Sequence, residues 1–174
     1  MTKGEARAQF LRYLGAATVN GCDRADADLN DLFNYLLEPA VMQAAAQFPI
    51  VKNVSVSGEW SAPENFFEIT QAFSAEGEPV GYRRVGRNVF RFEMPCTVEY
   101  AILPPALAPN APEETELALD RCAALLVPVR AAIDAAVSTE EYAFRVPYLT
   151  AAYNGLLSAL GDRNVAARRR VYAV

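Results

Sequence analysis

The side chains that most often carry chemistry are sparse in this sequence of 174 residues. It contains no histidine, which removes Ser-His-Asp and Cys-His nucleophilic sites and the commonest metal ligand. The three cysteines, Cys22, Cys96 and Cys122, are far apart and form no Cys-x-x-Cys pair, so neither a disulfide framework nor a zinc site is predicted. Glycine-rich phosphate-binding motifs are missing as well. We therefore expect no catalytic residue, no cofactor and no metal, and we do not expect an enzyme.

One acidic cluster has two interpretations. Glu113, Glu114, Glu116 and Asp120 precede a helical pattern. Carboxylates in that position stabilise a helix N-terminus through the helix dipole. The alternative is a divalent-metal site, although adjacent glutamates rarely converge on one ion.

An aromatic group is open to two interpretations as well. Trp60, Phe66 and Tyr82, with glutamates nearby, could form a stacking platform for a small molecule, in a binding module or an enzyme. Packing in a core or at a sheet edge is the competing interpretation, because aromatic rings bury large apolar areas. A deep pocket with converging polar groups would favour the platform.

Composition restricts the class of protein. Hydrophobic residues make up 52% and charged residues 21%, which is typical of a globular chain with a core. The net charge of −5 argues against general nucleic-acid binding, since phosphate contacts need a basic surface. No apolar run reaches the roughly 20 residues of a membrane helix, and the first residues lack a signal-peptide layout. We expect no membrane partner.

The stretch from residue 120 to 160 predicts a helical hairpin. Apolar residues recur in steps of three and four on both sides of Ser138. Ser138 and Glu141 could form a capping box for the second helix, and Gly161 predicts its end. Pro128 and Pro147 lie inside the predicted helices, so we expect both helices to bend there.

The elements before this hairpin complete the predicted fold. Helical periodicity covers residues 3–17 and 27–47, and a period of two takes over between residues 51 and 103. Within that insertion, Gly86-Arg87 predicts a hairpin turn. The expected fold is α+β and mainly α: a bundle of about four helices with one small inserted antiparallel β-sheet and an extended C-terminal tail. Residues 1–162 are expected to form a single domain.

Residues 163–174 differ from the rest in composition. They are rich in arginine, and the last four residues of the sequence are mostly apolar. They are either a solvated terminus or a peptide arm that becomes ordered on a partner. The side chains that would make this contact are Arg163, Arg168, Arg169, Arg170 and Tyr172.

The order of these elements resembles the head–tail connector (adaptor) proteins of tailed bacteriophages. The resemblance spans about residues 4 to 160 and combines a strand, a proline-rich return, an acidic step, an alanine- and leucine-rich helix ending near proline, and a helix with spaced tyrosines. These features lie at Val98–Pro105, Glu113–Leu117, Cys122–Pro128 and Tyr142–Tyr153, after an early helix around Leu29–Leu32 that leads to Phe48-Pro49. Val129-Arg130 departs from the pattern, which has aromatic residues after the proline.

The resemblance implies a structural virion protein of the neck, assembled in the host cytoplasm. Connectors of this family form a ring, commonly of twelve copies, beneath the portal. Their C-terminal arms dock on the portal protein, and the ring extends the channel for packaged DNA towards a downstream neck or tail protein, without sequence-specific DNA binding. Residues 163–174 would be the portal-binding arm. Another neck component, such as a head-completion or tail-terminator protein, is the alternative.

Overall fold

A computed structural model describes residues 1–16 and 26–171, with side chains described for 1–16 and 28–161. The chain divides into two compact units. The helical unit comprises Met1–Gln47 and Ala106–Val174, and the β unit comprises Phe48–Pro105. The β unit therefore covers the insertion expected at residues 51–103.

The helical unit is built around α4. Its helices are α1 (Lys3–Leu14), α2 (Asp26–Gln47), α3 (Arg121–Ala124), α4 (Leu126–Ser138) and α5 (Val146–Val171), with a 3₁₀ helix at Glu140–Arg145. α1, α2 and α5 all pack against α4. Because α4 is covered from several sides, it buries residues around most of its circumference. These buried residues are Leu126, Val127, Val129, Ala131, Ala132, Ala135 and Ala136. None of the described helices combines the length and apolarity needed to cross a membrane.

Both ends of α1 have complete caps. Thr2 Oγ1 accepts the Glu5 N–H at 3.2 Å, and the Glu5 carboxylate accepts the Thr2 N–H at 2.9 Å, which is a capping box. At the other end Gly15 adopts φ 72°, and the N–H groups of Gly15 and Ala16 donate to the carbonyls of Arg12 and Leu11. This is a Schellman motif, so α1 ends at Leu14 and not at residue 17 as expected. Ala17 itself lies outside the described residues.

The two prolines of the hairpin lie near helix starts and not inside helices. Pro128 is the third residue of α4, and α3 ends four residues before it, at Ala124. Pro147 is the second residue of α5, directly after the 3₁₀ helix. The backbone N–H groups of the first helical turn have no acceptor within the helix, so a proline there costs no helical hydrogen bond. The expectation of two continuous helices bent at interior prolines was therefore wrong.

The predicted capping role of Ser138 and the predicted helix end at Gly161 were wrong as well. Ser138 belongs to α4, where its hydroxyl donates to the Asp134 carbonyl at 2.7 Å, and the 3₁₀ helix follows without a side-chain cap. α5 continues through Gly161 to Val171, so the backbone of 163–171 is helical and not an extended tail. A glycine costs a helix only about 1 kcal/mol, and the alanines and arginines that follow favour helix.

The β unit contains two antiparallel sheets of three strands each. Its strands are β1 (Ile50–Val56), β2 (Glu59–Ser61), β3 (Phe66–Phe73), β4 (Tyr82–Arg84), β5 (Val89–Phe92) and β6 (Cys96–Ile102). One sheet has the order β1-β6-β3 and the other β2-β5-β4. The hairpin around Gly86-Arg87 is confirmed as β4 and β5.

These two sheets correct the predicted fold class. The chain is α+β, but it is not a helical bundle with one inserted sheet. The stretches of alternating residues were correctly predicted to be strands, but the sequence did not predict which strands pair with each other. A period of two shows which side chains share a face of a strand, and it does not identify the neighbouring strand. Residues from both sheets form one core, with Val56 and Val98 from the first and Phe90 and Phe92 from the second.

Candidate functional site

A groove lies between α1 and α5 of the helical unit. It has a volume of about 320 Å³ and is lined by Gln9, Arg12 and Tyr13 from α1 and by Tyr148 from α5. α1 buries Ala6, Phe10 and Leu14 against the helical core, so its flanking residues remain available to the groove. The lining offers two phenols, an amide and a guanidinium, and none of these four side chains is acidic.

Arg145 lies beside this groove, at the carbonyl of Tyr13. Its Nη1 donates to the Tyr13 carbonyl at 3.4 Å, at the C-terminal turn of α1, where a positive charge complements the helix dipole. The same guanidinium lies 5.2 Å from the centre of the Phe144 ring. Its Nε is buried and has no hydrogen-bond partner in the described part of the chain. The groove is therefore bordered by a second cation.

The phenol of Tyr13 holds its proton more tightly than a free phenol does. Burial raises the pKa of Tyr13, and the neighbouring Tyr148 hydroxyl raises it further. A phenol whose pKa lies above its usual value near 10 is a hydrogen-bond donor and not a base. The Tyr13 hydroxyl can therefore donate a hydrogen bond to a polar or anionic side chain that enters the groove.

Large apolar side chains are exposed beside the turn between α4 and α5. Val137 is 67% exposed, Phe144 73% and Tyr148 65%. They follow one another along the end of α4, the 3₁₀ helix and the start of α5. Large exposed apolar side chains are typical of surfaces that contact other proteins.

A second surface of the helical unit lies along α2. Asp28, Asp31, Tyr35 and Glu38 are all exposed, and Tyr35 is exposed to 76%. Their spacing of three and four residues places them in one stripe on the helix surface. Residues 26–47 contain no lysine or arginine, so no base on α2 offsets these carboxylates.

Two of the three rings proposed as a stacking platform, Trp60 and Phe66, pack against the core of the β unit, and the third, Tyr82, is exposed. The Trp60 ring lies 4.9 Å from Tyr100, 6.0 Å from Phe66 and 6.1 Å from Phe90, measured between ring centres. Tyr82 instead packs on Phe90 and Phe92. The rings contact one another, as the packing interpretation expected.

The β4–β5 hairpin carries arginines on its outer face. Arg83 lies directly opposite Arg91, and Glu59 on β2 lies on the other side of Arg91. Arg91 pairs with Glu59, with Nε to Oε1 at 2.9 Å. Arg84 instead stabilises the turn by donating to the carbonyls of Gly86 and Arg87.

The cysteines and the acidic cluster have structural positions. Cys96 is buried, and burial raises the pKa of its thiol, which disfavours the thiolate needed for nucleophilic attack.

Asp120 caps α3 by accepting the Cys122 N–H at 2.8 Å, as the helix interpretation expected. Glu113 pairs with Arg7 at 3.3 Å. Among the side chains that the structure describes, those of residues 1–16 and 28–161, no three His, Cys, Asp or Glu residues are grouped to hold a metal. Cys22 lies outside the described residues.

The predicted portal-binding residues fall at the limit of the described chain. Arg163, Arg168, Arg169 and Arg170 lie on the helical backbone of α5, but their side chains are outside the described residues, as is Tyr172 altogether. The structure therefore neither groups nor separates them. The groove was not predicted from the sequence, because its residues come from α1 and α5, at opposite ends of the chain; Arg12 beside Tyr13 and the spaced aromatic residues Tyr142, Phe144 and Tyr148 were the available signals.

No family model matches the chain, and no curated protein sequence matches it significantly.

Proposed function

We propose that this chain is a structural subunit of the neck of a tailed bacteriophage, a head–tail connector that forms a ring on the portal. The sequence resemblance described above leads to this proposal. The observation that supports it best is the row of exposed apolar side chains at Val137, Phe144 and Tyr148, beside a groove lined by arginine and tyrosine. Tyrosine, phenylalanine and arginine are the residues enriched at protein interfaces.

In this proposal the helical unit supplies the rigid body of the subunit. α4 is buried among α1, α2 and α5, so their outer faces keep fixed positions relative to one another. A subunit with two different, rigid contact surfaces makes heterologous contacts, which close into a ring when the rotation between copies allows it. The ring would extend the DNA channel, with an acidic chain of net charge −5 providing little attraction for the phosphates.

The C-terminal segment would supply the contact with the portal protein. Arg163, Arg168, Arg169, Arg170 and Tyr172 fall within twelve residues at the end of the chain. Guanidinium groups form short, charge-assisted hydrogen bonds with carboxylates, often two at a time. Acidic clefts on the portal are therefore the expected partner of this segment.

A nonsense mutation in the gene tests this function directly. In the source phage, heads should fill with DNA but fail to join tails, and virions from a suppressor host should contain the protein at the neck. Normal tailed virions from the mutant, or virions without the protein, would contradict the proposal.

A further inference from the structure

We propose that the acidic face of α2 in one copy of this chain docks into the α1–α5 groove of the next copy. The proposal deepens the ring function proposed above by naming the two surfaces that meet. The α2 face is formed by Asp28, Asp31, Tyr35 and Glu38, and the groove by Gln9, Arg12, Tyr13 and Tyr148.

Charge complementarity selects this pairing. The α2 face presents three carboxylates on a helix without a single basic residue. The groove presents Arg12, Arg145 lies beside it at the Tyr13 carbonyl, and none of its four described lining residues is acidic. Complementary charges across an interface fix register and exclude wrong partners, and arginine binds carboxylates with good geometry.

The aromatic content of the two surfaces supports the same pairing. Tyr35 projects from the middle of the α2 face and is 76% exposed. The groove has two tyrosines of its own, and its volume of about 320 Å³ accommodates one large aromatic side chain. A Tyr35 ring seated between Tyr13 and Tyr148 would be the central anchor, with Asp31 and Glu38 at the sides near Arg12.

The α2 face and the groove lie on different helices and share no residue, so one copy can use both at once. α2 approaches α1 at Arg7, whose Nη1 lies 3.5 Å from Asn30 Oδ1. Gln9 follows Arg7 by two residues and is therefore rotated by about 200° around a helix that turns 100° per residue. Gln9 consequently lies on a different side of α1 from Arg7, the residue that contacts Asn30 of α2. Contacts between two different faces are heterologous and propagate from copy to copy.

A charge exchange tests the contact with the full-length protein alone. Arg12→Glu makes the groove acidic and Glu38→Arg makes the α2 face basic, so each variant should associate at least about tenfold more weakly than the wild type in sedimentation velocity at low salt. An equimolar mixture of the two variants should recover association, because each altered face then meets an altered partner. Arg87→Glu and Glu64→Arg carry the same charge changes on the β unit and should associate like the wild type.

A photo-cross-linking amino acid in place of Tyr35 gives an independent readout that also captures weak association. Cross-links between copies should map to peptides containing Tyr13 or Tyr148. Cross-links elsewhere, no cross-linking between copies at millimolar protein, or no recovery in the mixture would overturn the proposal. These results can be distinguished from a failure of the connector function. If the charge exchange fails but a ring forms on the portal, only the proposed contact is wrong. If the exchange restores association but the chain does not bind the portal, only the connector function is wrong.

Discussion

The guanidinium of Arg145 lies against Gly15, the residue that ends α1 in the left-handed region at φ 72°. A Cβ on Gly15 would lie 2.7 Å from Arg145 Cζ and closer still to Nη2. The same guanidinium donates to the Tyr13 carbonyl. One glycine therefore both terminates α1 and leaves the space for the cation that borders the groove.

Replacing that glycine should destabilise the chain. Gly15→Ala puts a side chain into the left-handed region, at a cost of about 1–2 kcal/mol, and displaces Arg145 as well. The free energy of unfolding, measured in urea, should fall by at least this amount. The matched control is Gly155→Ala in α5, where a Cβ meets nothing within 4 Å; it should stabilise by about 0.5–1 kcal/mol. Equal effects of the two substitutions would contradict the role given to Gly15.

The amino group of Lys3 should hold residues 109–111 in place. Lys3 is 2% exposed, and its Nζ donates to the carbonyls of Pro109 and Ala111 at 2.8 and 2.9 Å. Lys3→Met keeps the length of the side chain but leaves two carbonyls without this donor, so unfolding should become easier by about 1–3 kcal/mol. Lys52→Met, at an exposed position on β1, removes the same charge and should change stability by less than about 0.5 kcal/mol. A stability for Lys3→Met within the range of that control would show that the two hydrogen bonds contribute little.

Stability should decline in alkali partly through Tyr153. Burial raises its pKa, and nearby Asp134 raises it further while Arg130 opposes the shift. Above about pH 10 the unfolded chain loses this proton before the folded chain does, so the free energy of unfolding falls as the pH rises. The urea midpoint of Tyr153→Phe should therefore decline less steeply between about pH 9 and pH 11 than that of the wild type. An exposed phenol provides the control: Tyr35→Phe should follow the wild type, and identical slopes for all three proteins would refute the assignment.

Removing residues 163–174 should separate portal binding from folding. The truncation takes away the arginine-rich end of α5 but none of the buried side chains of the described core. The urea midpoint should stay close to that of the full chain, while affinity for the portal protein of the same genome should be lost. Replacing only Arg168, Arg169 and Arg170 by glutamine should reproduce most of that loss, since their charges carry the contact. Full portal affinity of the truncated chain would refute the role of the segment.

Periodicity predicted those parts of the fold that depend on local sequence. Both early helices, the hairpin at Gly86-Arg87 and the strand through Val98 and Tyr100 lie where apolar spacing and turn residues placed them. The second sheet was missed because the short strand Glu59–Ser61 has too few residues for a pattern and pairs with β5, thirty residues further along the chain. Pro128 and Pro147 were misread because a proline marks a helix start as readily as an interior bend.

The candidate site was harder to predict than the fold. The groove depends on Tyr13 and Tyr148, which come together only when α1 and α5 pack on α4. The α2 face was not predicted either, because the periodicity of residues 27–47 is defined by apolar positions and not by the intervening Asp31, Tyr35 and Glu38. Surfaces that act on other chains need not bury their residues in their own chain, so hydrophobic periodicity carries little information about them.

Cryo-electron microscopy of the purified chain mixed with the portal protein of its genome tests the connector function most directly. The function proposed here predicts a closed ring of this chain on the portal, coaxial with the channel, with residues 163–174 of each copy held against the portal subunits. Portal particles that carry no additional ring at saturating concentrations of the chain would contradict it.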